Sequence, residues 1–135
     1  MEKSIYQTVV THLTKQKIKR NYKESNEQAT LIEWFDLAYR KYEKLLVYVP
    51  NGQNIGMLSG KRLKKIGLRA GFPDLVLFVP NKEWHGLILE FKPTDSGTVG
   101  KEQKIMITRL VAQGYCALAV NGLDEAMKII KDYLG

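Results

Sequence analysis

The chain has 135 residues, 44 % of them hydrophobic and 26 % charged, which fits one domain with a real core and excludes a disordered or fibrous chain. Lys and Arg number 21 against 14 Asp and Glu, so the net charge is +7, a balance suited to a polyanionic partner, nucleic acid before a membrane surface. No apolar run approaches the roughly 20 residues of a membrane span, and the start of the chain lacks the apolar core of a secretory signal. The single cysteine, Cys116, leaves no intrachain disulfide and no cysteine-based zinc cluster; it sits in an apolar run as a small hydrophobe, and a reducing, cytoplasmic setting is the default expectation.

Ile5, Val9 and Leu13 recur every four residues, which predicts a short amphipathic helix within a basic N-terminal extension, residues 1–23. A helix capped by Ser25 or Asn26 follows and runs to about Tyr42, with Leu31, Phe35, Ala38 and Tyr42 as its apolar stripe. Leu46 to Val49 reads as a strand stopped by Pro50-Asn51-Gly52. Ser59 to Ile66 is a short basic helix, with Leu63 and Ile66 on its inner side, closed by Gly67. Leu75 to Val79 is apolar throughout, as expected of a strand covered on both faces. Pro80 to Glu83 is a hairpin turn, Gly86 to Lys92 the next strand, and Pro93 to Gly100 a loop. A helix from Lys101 to Gln113, a strand from Tyr115 to Val120 and a helix from Leu123 to Leu134 complete the chain. The order predicts an α/β fold in which helices flank a mixed sheet.

Two polar residues break the apolar pattern. On the strand ending at Lys92, alternation puts Leu87, Leu89 and Phe91 on one face and Ile88, Glu90 and Lys92 on the other. Buried charges must be paired or bind a metal. Taken alone, Glu90 and Lys92 also fit a solvated edge strand or a simple ion pair. Asp74, directly after Pro73, shifts that balance. The short Pro80–Glu83 connection makes the flanking strands antiparallel neighbours, so Asp74 at the start of one faces Glu90 and Lys92 near the end of the other. Two carboxylates at one sheet end repel unless a cation lies between them. Hard oxygen ligands without a His or Cys cluster point to Mg²⁺ or Mn²⁺ rather than zinc. Glu24, Gln28 and Gln103 place polar groups where helical stripes call for apolar ones, although wet helix ends explain each singly. His12 and His85 lack metal-ligand spacing, and Trp84 fits a surface anchor for the hairpin better than a base-stacking platform.

The ordered series Glu24-xxx-Gln28, Pro50-Asn51-Gly52, Gly71-Phe72-Pro73-Asp74-Leu75, Gly86 to Lys92 with Glu90-Phe91-Lys92, Gln103 and Gln113-Gly114-Tyr115 resembles the virus-type replication-repair nuclease (VRR-NUC) domain of the PD-(D/E)XK superfamily. The likeness spans about Glu24 to Leu134, giving a nuclease domain over residues 24–135. It implies a restriction-endonuclease-like αβββαβ core and metal-dependent hydrolysis of DNA phosphodiesters that leaves a 5′-phosphate. Asp74, Glu90, the backbone carbonyl of Phe91 and the helical acid Glu24 (with Glu27 as the competing position) would hold Mg²⁺ or Mn²⁺. Lys92 would activate the attacking water, and Gln103 would position that water or a phosphate oxygen. Lys61, Arg62, Lys64, Lys65 and Arg69 would track the DNA backbone, with Asn51 near substrate; a solvated helix face is the alternative for the basic segment. The resemblance further implies a phage-type enzyme selective for branched or four-way DNA, working as a homodimer in the host cytoplasm without a small organic cofactor. The competing expectation is a non-catalytic DNA-binding module with the same fold.

Overall fold

The computed structural model describes residues 24–50, 60–92 and 98–135, with the backbone alone at residues 24 and 25. The expected N-terminal helix through Ile5, Val9 and Leu13, His12, and the turn at Asn51-Gly52 lie outside the described residues. Helix α1 spans Glu24–Ala38. Strand β1 is Leu46–Tyr48, α2 is Gly60–Lys65, β2 is Leu75–Leu77 and β3 is Leu87–Lys92. Helix α3 is Lys101–Ala112, β4 is Cys116–Asn121 and α4 is Gly122–Leu134. The strands form one sheet in the order β1-β2-β3-β4. The first two pairings are antiparallel and β3–β4 is parallel. With α2 inserted between β1 and β2 and α4 following β4, this is the expected αβββαβ order, a mixed four-stranded sheet flanked by helices. None of the described helices is long and apolar enough to cross a membrane.

Alternation along β3 divides the interior. Leu87, Leu89 and Phe91 join the large core, where α1 contributes Leu31, Trp34 and Phe35. Helix α4 adds Leu123, Ala126, Met127, Ile130 and Tyr133, spaced so that one stripe faces the sheet. Ile88 points the other way into a smaller cluster with Val76 and Ala117, covered by Ile107 and Leu110 of α3. The same alternation sends Glu90 and Lys92 to the α3 side, at the C-terminal end of a strand otherwise fully apolar.

Three expectations change in detail. The first helix stops at Ala38, and Arg40–Tyr42 forms a separate 3₁₀ turn. Tyr39 leaves helical geometry (φ −123°, ψ 63°) and stacks on Phe35 at 5.4 Å between ring centroids, with Trp34 edge-on at 5.7 Å. Strand β2 ends at Leu77 rather than Val79, because Phe78 turns outward and is 60 % exposed. The turn beyond it is held by Asn81, whose Oδ1 accepts the amides of Glu83 and Trp84 and whose Nδ2 donates to the Tyr133 carbonyl. Trp84 is thereby anchored against the core. On α2, Leu63 is buried but Ile66 is 64 % exposed, since the helix ends at Lys65 and Ile66 leaves the inward stripe.

Candidate active site

Strand β3 outruns its partner. The β2–β3 register ends with Leu75 opposite Leu89, so the amide of Phe91 has no strand partner on that side. The Asp74 carboxylate fills the gap: Oδ2 accepts the Phe91 N–H at 3.0 Å. Its own carbonyl accepts the Val49 N–H at 2.7 Å, which ties the start of β2 to β1. Pro73, buried and fixed in φ, sets the approach.

Glu90 is only 4 % exposed. Its Oε1 accepts from Gln103 Nε2 at 2.8 Å and lies 3.3 Å from Lys92 Nζ. Its Oε2 is buried with no hydrogen-bond partner. Burial first, and the neighbouring Asp74 charge second, push the Glu90 carboxyl from 4.5 up to about 7; Lys92 opposes them. Burial likewise raises Asp74, against the lowering influence of the Phe91 amide and Lys92. One ammonium faces two adjoining carboxylates, a pair that is stable only while a proton or a cation is shared between them.

Gln103 is fixed from both ends. Its Oε1 accepts the Gly100 N–H at 2.8 Å, reaching back from the first turn of α3 to the residue before it. Its amide nitrogen is spent on Glu90. The side chain expected to face water or phosphate therefore orients a carboxylate instead. The loop before β2 is pressed onto this turn at Gly71, whose φ is +76°. A Cβ there would lie 2.5 Å from the Glu102 carbonyl carbon and oxygen, so only glycine permits the approach.

The structure thus brings Asp74, Glu90, Lys92 and Gln103 to one open cleft of about 640 Å³, whose walls add Phe72, Thr98 and Lys101. Sequence reading missed Lys101; its only available signal was its place in the first turn of the helix that carries Gln103. The Glu24 side chain is not described, and Glu27 is buried in α1. Among the described residues no group of three or more His, Cys, Asp or Glu forms a metal cluster. The acidic groups lining the cleft are Asp74, Glu90 and, on its rim, Glu102, all hard oxygen donors, and the buried Oε2 of Glu90 fits a small divalent cation such as Mg²⁺ or Mn²⁺. Lys61, Arg62, Lys64 and Lys65 are exposed on α2, and Arg69 is exposed beyond it. None of the five lines the cleft; Phe72 stands between, lining both the cleft and an apolar hollow of about 410 Å³ beside Leu63 and Arg69. Asn51 lies outside the described residues. His85 packs edge-on against Tyr115, and burial raises the Cys116 thiol, so neither supplies a nucleophile here.

Comparison with known proteins agrees with this fold. The family model described as the VRR-NUC domain matches residues 11–123. A solved structure titled "VRR_NUC domain protein" is 25 % identical, with a TM-score of 0.74 over 84 % of this chain and 88 % of that one. No curated protein matches. The chain belongs to the VRR-NUC domain family, a nuclease-type family.

Proposed function

We propose that the protein is a Mg²⁺- or Mn²⁺-dependent DNA endonuclease of the PD-(D/E)XK type. The observation that carries the reading is the buried, unpartnered Oε2 of Glu90 beside Asp74, in a cleft open to a phosphodiester. A stability role does not account for the arrangement, since two adjoining buried carboxylates repel unless a proton or a cation is shared between them.

Asp74 and Glu90 would hold the ion, with the Phe91 carbonyl and Glu24 completing the oxygen set. A bound divalent cation supplies polarisation of the scissile phosphate and a lowered pKa for coordinated water. The chain's own groups do the rest. Lys92 Nζ, kept near Glu90, stabilises charge developing on the phosphate and assists deprotonation of the attacking water. Gln103 acts through Glu90, fixing the direction of its carboxylate, and is a positioning residue. Water attacks phosphorus, the bond to the 3′ oxygen breaks, and the new end carries a 5′-phosphate. The basic face of α2 and the net charge of +7 would supply affinity for the DNA backbone without reading bases. Selectivity for branched DNA and action as a homodimer belong to the same proposal and rest on family resemblance.

Labelled linear, flap and four-way DNA incubated with Mg²⁺, Mn²⁺ or chelator tests it. Cleavage should need a divalent ion and disappear in Glu90→Gln. Cleavage that survives in chelator, or an active Glu90→Gln protein, refutes the metal mechanism. Tight binding without cleavage under any metal refutes the enzyme and leaves a binding module.

A further inference from the structure

A second hollow of about 690 Å³ lies beside the cleft, walled by Arg69 and Ala70 from the loop and by Glu102, Ile105, Met106 and Arg109 from α3. Glu102 lines both cavities, which makes them neighbours. The helical residues share one face, spaced by three, four and seven. This face adjoins the one that carries Gln103 towards Glu90. The opposing wall is set by the Gly71 contact on Glu102, two residues after Arg69. One close backbone approach therefore fixes both the carboxylates and the arginines. Arg69 and Arg109 are exposed, and among the described residues neither forms an ion pair. Between them Ile105 is 50 % exposed, an apolar floor with no cover among the described elements.

From this arrangement the geometry points to a phosphate-binding subsite: Arg69 and Arg109 clamp the backbone of the DNA strand as it leaves the carboxylate cleft, with sugars against Ile105 and Met106. The assignment rests on the nuclease reading and extends it. Two guanidinium forks suit phosphate oxygens better than ammonium groups do. Along α3, Gln103 and Arg109 are separated by about 9 Å at roughly 1.5 Å per residue. That span exceeds one nucleotide step, so the clamp meets the strand beside the cleft and not within it. The single carboxylate, Glu102, lies at the junction of the two cavities and disfavours a phosphate directly above itself.

The test is equilibrium binding of fluorescent duplex DNA, in chelator so that nothing is cut, at salt concentrations from about 50 to 200 mM. In Arg69→Ala/Arg109→Ala the slope of log affinity against log salt should shrink by roughly 1.8, because each lost phosphate contact removes about 0.9. The loss of affinity across that salt range is then about tenfold smaller than in wild type. Lys41→Ala/Lys128→Ala removes equal charge from elements that line neither cavity and should leave the slope unchanged. A wild-type slope in the arginine variant, or an equal fall in the lysine control, overturns the clamp. If the double variant does not fold, Arg69→Gln and Arg109→Gln singly are each expected to lose about 0.9. Cleavage by the wild-type protein with metal is scored separately. A protein that cuts nothing yet loses slope in the arginine variant keeps the clamp and loses the nuclease; one that cuts with an unchanged slope does the reverse.

Discussion

Replacing Gly71 with alanine adds one methyl group where the Asp74 loop meets α3. The new Cβ would sit 2.5 Å from the Glu102 carbonyl carbon and oxygen and 2.8 Å from the Gln103 nitrogen. These are backbone atoms in the first turn of a helix, so no side chain can swing aside. The left-handed φ of +76° adds strain of about 1–2 kcal/mol for a residue with a Cβ. Overpacking adds about 1–3 kcal/mol, for about 2–5 kcal/mol in all. At roughly 4 °C per kcal/mol for a domain of this size, the melting temperature should fall by about 8–20 °C. Gly67→Ala is the matched control: φ is +115°, but nothing lies within 4 Å of the added carbon. It carries backbone strain alone, about 1–2 kcal/mol and so about 4–8 °C. The difference between the two melts, read by circular dichroism, measures the contact itself. Well below both melts, DNA cleavage should fall by roughly tenfold or more in Gly71→Ala and persist in Gly67→Ala, because retreat of the loop separates Asp74 from Glu90. Equal melting temperatures, or a Gly71→Ala protein with wild-type cleavage, would refute the reasoning.

The remaining predictions concern the hydrogen bonds and charges around that contact. The Glu90 carboxyl, raised from 4.5 to about 7, binds its proton more tightly folded than unfolded. Its contribution to metal-free stability is therefore fully present below about 4.5 and is lost as pH rises through about 7, a change of about 3 kcal/mol. Urea unfolding in chelator at pH 5 and pH 8 should show this loss in wild type but not in Glu90→Gln; the same pH dependence in both would sink it. Gln103→Ala removes 2.8 Å bonds to Glu90 and to the Gly100 amide, and should lower stability by about 1–2 kcal/mol while weakening Mn²⁺ binding in calorimetry. Unaltered Mn²⁺ affinity would show that Glu90 needs no such orientation. Tyr133→Phe removes a buried 2.7 Å bond to the Val79 carbonyl and should cost about 1–2 kcal/mol in chemical denaturation, with an unshifted midpoint as the contrary result.

Glu90 and Lys92 at the end of an apolar strand were readable as a site only together with Asp74, since alone they also fit a solvated edge strand or a simple ion pair. Asp74 was readable for a related reason, since short connections make neighbours antiparallel and bring their opposite ends together. The break at Tyr39 was not, because no Gly or Pro marks it; ring packing with Trp34 and Phe35 overrides local preference. The early end of β2 depends on Phe78 facing outward, which composition contradicts. The bond that turns Gln103 onto Glu90 joins segments thirteen residues apart in sequence, and the Arg69–Arg109 wall exists only through the Gly71 contact. Such features follow from three-dimensional assembly, and periodicity along one chain carries no trace of them.

The two faces of the sheet are unequally covered. Helix α4 buries six residues, whereas α3 buries none completely and rests on Ile107 and Leu110 over a small cluster. Amide exchange should therefore be slowest along β3 and α4 and fastest along α3, which can loosen from the sheet while the thicker side stays intact. The helix that aims Gln103 is held by the thinner layer, so its alignment leans on the Gly71 contact and the Gly100 bond at its first turn. Engagement of substrate would then stiffen the very segment that orients Glu90, and part of the binding free energy would be spent as local ordering.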